Sequence, residues 1–347
     1  MQSVAIFTGN TIVRNPEIQA MSAASESTDR RSLLGAGLAL AAGALLGKPR
    51  SAQGAAAGAD ASAADAKLLP GFKVERVKTT GAELYTVIGG KGPPLLLIHG
   101  APLTHLSWHL VAPELAKYYT VIAPDLRGYG DSSKPEDGEN HINYSKRTMA
   151  RDKIEVMKHF GFDRFAVVGH DRGGRVAHRL ALDHPQAVTR MAVLDIVPTH
   201  YLYTHLTKAF VEAYFHWFLY IRPAPFPENI LNADVAGNFG RAGSPDLRAE
   251  YLRVYRDPAA VHGMCEDYRA SAGIDMKFDE EDLNKKITCP LFALWASDAA
   301  MGRMFDVLGI WKERGTQVTG AAITGGHNLQ EANPSGVLAQ LLPFLAA

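Results

Sequence analysis

The sequence predicts an α/β fold: a mainly parallel sheet flanked by helices, with a helical lid inserted between two of its strands. Three observations predict it. Short apolar runs at 95–100 (LLLIHG), 119–125 (YTVIAPD), 165–171 (FAVVGHD), 190–196 (RMAVLDI), 291–297 (LFALWAS) and 317–323 (QVTGAAI) have the length and composition of strands buried on both faces. Helix-like segments such as KRTMARDKIEVMKHFG and RGGRVAHRLALDHP separate most of them, and that alternation implies helices packed on both sides of the sheet. The alternation stops between about Pro198 and Lys286 and resumes at Cys289, so the intervening stretch reads as an insertion.

At 347 residues the chain is long enough for one large domain carrying such an insertion. Hydrophobic residues at 47% and charged residues at 21% describe a globular protein with a sizeable core. A formal net charge of zero favours neither nucleic acid nor an anionic membrane as partner. Cys265 and Cys289 make no disulfide framework, and no Cys/His cluster suggests a metal.

The N-terminus departs from this pattern. Thr28-Asp29-Arg30-Arg31-Ser32-Leu33-Leu34 leads into a Gly/Ala/Leu run from Ser32 to Gly47, followed by Lys48, Pro49, Arg50 and small residues. Basic, apolar and small-residue zones in that order are expected of an export signal over 1–52, here of the twin-arginine type with a periplasmic destination. The run is shorter than the roughly 18–20 residues a membrane-spanning helix needs, so no stable anchor is expected. Translation from Met21 gives a more usual leader. Cleavage near Ala52 removes Arg14, Arg30, Arg31, Lys48 and Arg50 with Glu17, Glu26 and Asp29, which leaves a mature charge of about −2. Residues 53–68 read as a disordered small-residue linker, 69–197 and 286–347 as the core, and 198–285 as the lid.

Within the core, FKVERVKTT and ELYTVIGG form an antiparallel pair around a Gly-containing turn. The lid is aromatic and helical in character (YLYTHLTKAFVEAYFHWFLY, DLRAEYLRVYRDP, HGMCEDYRASAG), broken by the proline-rich IRPAPFPEN.

The chemistry gathers around Gly169-His170-Asp171-Arg172-Gly173, which fits the strand-to-helix turn that exposes a nucleophile between two glycines. The helix beginning there points its N–H groups at Asp171; a plain helix N-cap is the competing explanation of that aspartate. His99-Gly100-Ala101-Pro102 follows an apolar strand, where a backbone N–H can serve an oxyanion. Asp195 ends the strand after the turn, and His327, in ITGGHNLQEANP, follows the last strand. The order nucleophile, acid, histidine is the hydrolase order. Two acids are candidates to orient His327: Asp195, and Asp298 in LWASDAAM, which also reads as a surface loop residue.

Together HGAP, DLRGYGDSSKP, GHDRGGRVAHRLALDHP, LDIVPT, HWFLYIRPAPFPEN, CEDYRA and GGHNLQEANP resemble the fluoroacetate dehalogenases of the α/β-hydrolase fold, from roughly Pro70 to the C-terminus. The resemblance implies Asp171 as nucleophile, His327 as general base and Asp195 as its orienting acid. It further implies that Arg172 and Arg175 hold the substrate carboxylate, and that His216, Trp217 and Tyr268 bind the departing halide. The expected reaction turns a haloacetate into glycolate and halide through an aspartyl ester, with N–H groups of Ala101 and Arg172 forming the oxyanion hole. No cofactor or metal is expected; the expected partner is a small halogenated carboxylate, with a homodimer as one option.

Elementary chemistry agrees with that implication. An aspartate is already ionised at neutral pH, so displacement at carbon needs no base, and the resulting ester can be cleaved where a serine ether cannot. Arginines three apart share a helix face and suit an anionic substrate. An imidazole, an indole N–H and a phenol O–H can take up the charge of a leaving fluoride. Three features depart from the family: Ala101 stands where a bulky aromatic is usual, the lid between Asn229 and His262 is short, and an export signal is unusual. The rivals are an epoxide hydrolase using the same Asp/His chemistry, which usually carries tryptophan after the nucleophile, a haloalkane dehalogenase, and a non-catalytic periplasmic carboxylate receptor.

Overall fold

The computed structural model describes residues 63–347; the predicted export signal, Met21 and the start of the linker lie outside them. Eight strands form one sheet in the order β1-β2-β4-β3-β5-β6-β7-β8. They are β1 (Lys73–Thr79), β2 (Ala82–Gly89), β3 (Pro94–Ile98), β4 (Thr120–Pro124), β5 (Phe165–His170), β6 (Val188–Leu194), β7 (Leu291–Ala296) and β8 (Val318–Ile323). β1 and β2 pair antiparallel, as does β2 with β4, and every later pairing is parallel.

Side-chain alternation explains why the strands read as unbroken apolar runs. Leu96, Ile98, Val167 and Val193 face one core, while Leu95, Leu97, Val168 and Leu194 face the other. With helices on both faces neither set meets water, so the period-two signal disappears from the sequence. Helix α1 (Lys146–His159) is capped by Ser145, whose hydroxyl accepts the Thr148 N–H at 3.2 Å. It buries Met149, Ala150, Val156 and Met157 and packs against α2 (Arg172–Asp183), which leaves β5 directly.

The insertion between β6 and β7 is helical, its first helix starting at Thr199 and its last ending at Glu281. Three of its helices bear on the site: α3 (Phe215–Tyr220), α4 (Pro258–Ala272) and α5 (Ile274–Glu281). After β8 the chain passes through α6 (Leu329–Ala332) and closes in α7 (Pro334–Ala346). Among the described residues no helix is long and apolar enough to cross a membrane.

One expectation needs correction. The stretch read as a linker is helical over 63–68. Asp65 is buried there, accepting from His105 Nε2 at 2.7 Å and from the Tyr85 hydroxyl, while His105 Nδ1 meets Asp125 at 2.8 Å. Burial alone disfavours a charged His105, but Asp125 and Asp65 outweigh it and push its pKa up to about 10, so a doubly protonated imidazole joins the two carboxylates. The Ala/Asp composition gave no sign of this, because both partners lie far along the chain. Asp65→Ala is expected to lower unfolding stability by about 2–3 kcal/mol, the range for losing a buried charge-assisted hydrogen bond. Lys67→Ala, which removes only an exposed pair with Asp246, should change it by less than about 1 kcal/mol in the same urea titration.

Candidate active site

The turn between β5 and α2 is made by Asp171 at φ +44°, a left-handed conformation that costs a non-glycine residue free energy and persists only where packing imposes it. That packing is tight. A Cβ on Gly173 would collide with the carbonyl of Ile98, and one on Gly100 would strike the Asp171 side chain. Asp171 occupies the N-cap position of α2 yet makes no side-chain capping bond. Its carboxylate turns to the loop after β3, where Oδ2 accepts the Ala101 N–H at 3.1 Å. The Arg172 N–H belongs to the first turn of α2, whose donors have no acceptor within the helix.

Asp195 leaves β6 beside it, also at positive φ; its N–H bonds the Leu294 carbonyl at 2.8 Å and its Oδ1 accepts from the Ala296 N–H at 2.9 Å. Its Oδ2 lies 2.6 Å from His327 Nδ1. The other ring nitrogen, Nε2, faces Asp171 Oδ1 at 3.9 Å, too far for a direct hydrogen bond. Asp298 has a different task. It accepts the backbone N–H groups of Gly325 and Gly326 at 3.1–3.2 Å, so it holds the loop leading to His327 rather than the ring.

Electrostatics separates the three groups. Burial by itself raises the Asp171 pKa, but His327, then Arg175, His170 and Arg172, overcome it and hold the carboxyl at about 2. For His327 burial works against the imidazolium, and the Asp195 hydrogen bond followed by the Asp171 charge raise its pKa above the usual value. The nucleophile candidate is therefore ionised, and the base candidate is more basic than free histidine.

The structure treats the two arginines unequally. Arg172 is fully buried, and its Nε and Nη2 form a two-point bridge with Asp267 of α4 at 3.0 and 2.8 Å. Nη2 also meets the Asp267 carbonyl at 3.0 Å and the Ser271 hydroxyl. Only Nη1 is left without a partner among the described residues. Arg175 gives Nη1 to the Val197 carbonyl (2.9 Å) and Thr199 Oγ1 (3.1 Å), and its Nε has no partner. The two arginines expected to hold a substrate carboxylate thus have different surroundings: Arg172 is paired with Asp267, whereas Arg175 has only neutral partners. Asp267 also takes Lys146 and, at 2.7 Å, the Tyr129 hydroxyl. The CEDYRA motif contained this residue, but its partner lies 95 positions away, beyond any local pattern.

A cavity of about 480 Å³ opens over Asp171 and His327. The lid supplies His216, Trp217 and Tyr268 to its wall, along with Tyr214 and Tyr220; the core supplies Ala101. Tyr268 lies edge-on to both His216 (6.0 Å) and Trp217 (5.8 Å). Burial lowers the His216 pKa to about 4 and keeps it neutral, while burial and the nearby Asp171 charge raise that of Tyr268, keeping its O–H. The guanidinium of Arg172 sits 4.2 Å from the Tyr268 ring and that of Arg175 4.6 Å from Trp217, so cation–π contact ties the arginines to the lid aromatics. Of the residues predicted from sequence, Ala101, Asp171, His216, Trp217, Tyr268 and His327 line the cavity, while Asp195, Arg172 and Arg175 lie behind its wall, Asp195 on the His327 ring and the arginines against Trp217 and Tyr268.

Exchanging Asp195 for asparagine should lower the His327 pKa in an NMR titration and abolish its low-field Nδ1–H resonance. Asp298→Asn should leave both in place; the reverse outcome makes Asp298 the orienting acid.

Comparison with known proteins gives the family. Residues 93–270 match the family model described as the alpha/beta hydrolase fold. A fluoroacetate dehalogenase from Burkholderia sp is 41% identical over 290 residues, covering 80% of this chain and 95% of that protein. A soluble epoxide hydrolase from Corynebacterium sp. (strain C12) is 32% identical over 295 residues, covering 77% and 94%. The crystal structure of ALR0039 from Nostoc sp PCC 7120 superimposes with a TM-score of 0.76 at 47% identity, covering 79% of this chain and 98% of that one. The chain belongs to the α/β-hydrolase superfamily and is a hydrolase.

Proposed function

We propose that the protein is a haloacetate dehalogenase that releases glycolate and halide by way of an ester on Asp171. The observation that carries this reading is an ionised Asp171 next to two buried guanidinium groups, each retaining an unpartnered N–H. A buried guanidinium N–H without a protein partner can take a water or a ligand, and beside Asp171 a carboxylate is the ligand whose geometry suits it. Arg175, whose contacts are to neutral oxygens, carries the net positive charge for it; Arg172 contributes Nη1.

In the first step Asp171 Oδ1 attacks the carbon bearing the halogen, and the halide leaves with the bonding pair toward His216, Trp217 and Tyr268. Oδ2, already on the Ala101 N–H, becomes the ester carbonyl oxygen. The 3.9 Å separation from His327 suits a nucleophile that needs no deprotonation. Esterification removes the Asp171 charge, and with it one of the influences that raise the His327 pKa. The base is thereby readied for the second step. His327 takes a proton from water, the hydroxide adds to the ester carbonyl, and the oxyanion rests on the Ala101 and Arg172 N–H groups. Collapse expels the glycolate alkoxide, which takes the proton back from His327 and leaves Asp171 as a carboxylic acid; held at about 2, that acid loses its proton to solvent and the carboxylate is restored. A Burkholderia relative named for fluoroacetate supports this reading.

A second reading has its own support. Tyr214, Tyr220 and Tyr268 line the same cavity, and lid phenols can protonate an opening epoxide, the activity for which the Corynebacterium relative is named. The arginines beside Asp171 give an uncharged epoxide no partner. The cavity also exceeds what a two-carbon acid fills, since a water's share of the liquid is about 30 Å³, so longer 2-halo acids fit beside Ala101.

Incubation with chloroacetate, fluoroacetate and styrene oxide, following halide and diol separately, decides between the two. Halide and glycolate without diol are expected. Diol without halide would leave the epoxide reading standing alone.

A further inference from the structure

The residue that precedes the nucleophile is a histidine with no place in the mechanism above. His170 ends β5 and is fully buried. Its Nε2 lies 2.9 Å from the backbone carbonyl oxygen of His327, and its Nδ1 lies 3.2 Å from the Nε2 amide nitrogen of Gln330, also fully buried. A carbonyl oxygen only accepts and an amide nitrogen only donates. With the Gln330 amide oriented as it stands, its Oε1 buried without a partner, both contacts are satisfied by the neutral ring protonated on Nε2, the Nδ1 lone pair receiving the Gln330 N–H. The two imidazoles stand 4.9 Å apart between ring centroids.

We propose that His170 is a positioning residue for the second half of the reaction, holding the His327 backbone through its Nε2–H and kept neutral by Gln330. The proposal rests on the two-step reading above. His327 is otherwise held at its ring by Asp195 and at the preceding turn by Asp298 on the Gly325 and Gly326 N–H groups. Neither contact holds the carbonyl of His327 itself, and a peptide rotation there would swing the ring away from the ester. The neutral form matters for a second reason. His327 becomes an imidazolium while it carries the proton of the attacking water, and a second cation at van der Waals distance in a buried site would oppose that. The Gln330 N–H occupies the Nδ1 position where such a proton would go. Burial, and then the nearness of His327, lower the His170 pKa to about 4, in keeping with this geometry. Displacement of the halide uses Asp171, the arginines and the lid donors, and the ionisation of Asp171 rests first on His327 and Arg175, so the first step should be little affected by His170.

The test separates the two steps with chloroacetate, using rapid-quench halide release and intact-protein mass. In His170→Ala the first equivalent of halide should appear within about threefold of the wild-type rate. Steady-state turnover should fall by tenfold or more, and the protein should accumulate with the added mass of a carboxymethyl ester on Asp171. His170→Gln, whose amide N–H can reach the same carbonyl, should recover most of the turnover. Gln330→Glu offers Nδ1 an acceptor instead of a donor, draws a second proton onto His170 and should stall at the same ester; it serves where the alanine variant does not fold. A parallel fall of first halide and turnover with no ester would reduce His170 to a structural role. Glutamine behaving like alanine would overturn the carbonyl contact, and a Gln330→Glu protein turning over normally would overturn the neutrality requirement. If the wild type releases no halide at all, it is the dehalogenase reading that fails.

Discussion

The architecture of the site follows from one constraint, a carboxylate that must be both buried and ionised. Taking an isolated carboxylate out of water costs on the order of several kcal/mol even after relaxation. Asp171 is 6% exposed and nevertheless held at about 2, so its surroundings more than offset that cost. His327 and Arg175 do most of it and the Ala101 N–H adds a hydrogen bond. The compensation then propagates. Arg172 is buried with Asp171 and needs an anion of its own, which Asp267 provides; Asp267 in turn holds Lys146 and the Tyr129 hydroxyl. Arg172 and Lys146 belong to the core and Asp267 to the lid helix α4, so the same chain of charges docks the lid over Asp171.

That arrangement divides the two arginines by function. A guanidinium bridged at two points by a carboxylate is held rigidly, here by one that Lys146 shares. Its remaining value lies in one directed N–H and in the ring faces of Tyr268 and Trp217 against which it packs. Arg175, bound to a carbonyl and a hydroxyl, keeps its charge. In the proposed reaction an anionic substrate would be oriented by one arginine and attracted by the other. The donors proposed to receive the halide stand against both.

Much of this was legible in the sequence because much of it is local. Every strand of the parallel sheet was visible as a short apolar run: β3, β5 and β7 because burial on both faces leaves few polar positions to blur them, and β8, an edge strand with no fully buried residue, because its side chains are mostly small and apolar. Asp171 between glycines announces its turn because only a glycine-flanked turn lets the backbones approach so closely. Asp195 and His327 were legible as strand-end residues, since the ends of parallel strands share one edge. The contacts that sequence reasoning missed join residues far apart along the chain: Asp267 with Arg172, Gln330 with His170, Asp65 with His105. No periodicity records such pairs. Asp298 illustrates the limit from the other side. Its position after β7 made it a candidate for the histidine, but distance assigns the imidazole to Asp195 and leaves Asp298 to the backbone of the preceding turn.

The central claim is that the carboxylate of Asp171, and not an activated water, makes the bond to carbon. A single turnover of chloroacetate in H₂¹⁸O by excess enzyme, followed by digestion and mass measurement of the Asp171 peptide and of the glycolate, tests it most directly. Ester chemistry places one ¹⁸O in the Asp171 carboxylate and leaves the first glycolate unlabelled. Labelled glycolate with an unlabelled Asp171 would mean that water attacks the substrate itself, and would contradict the account.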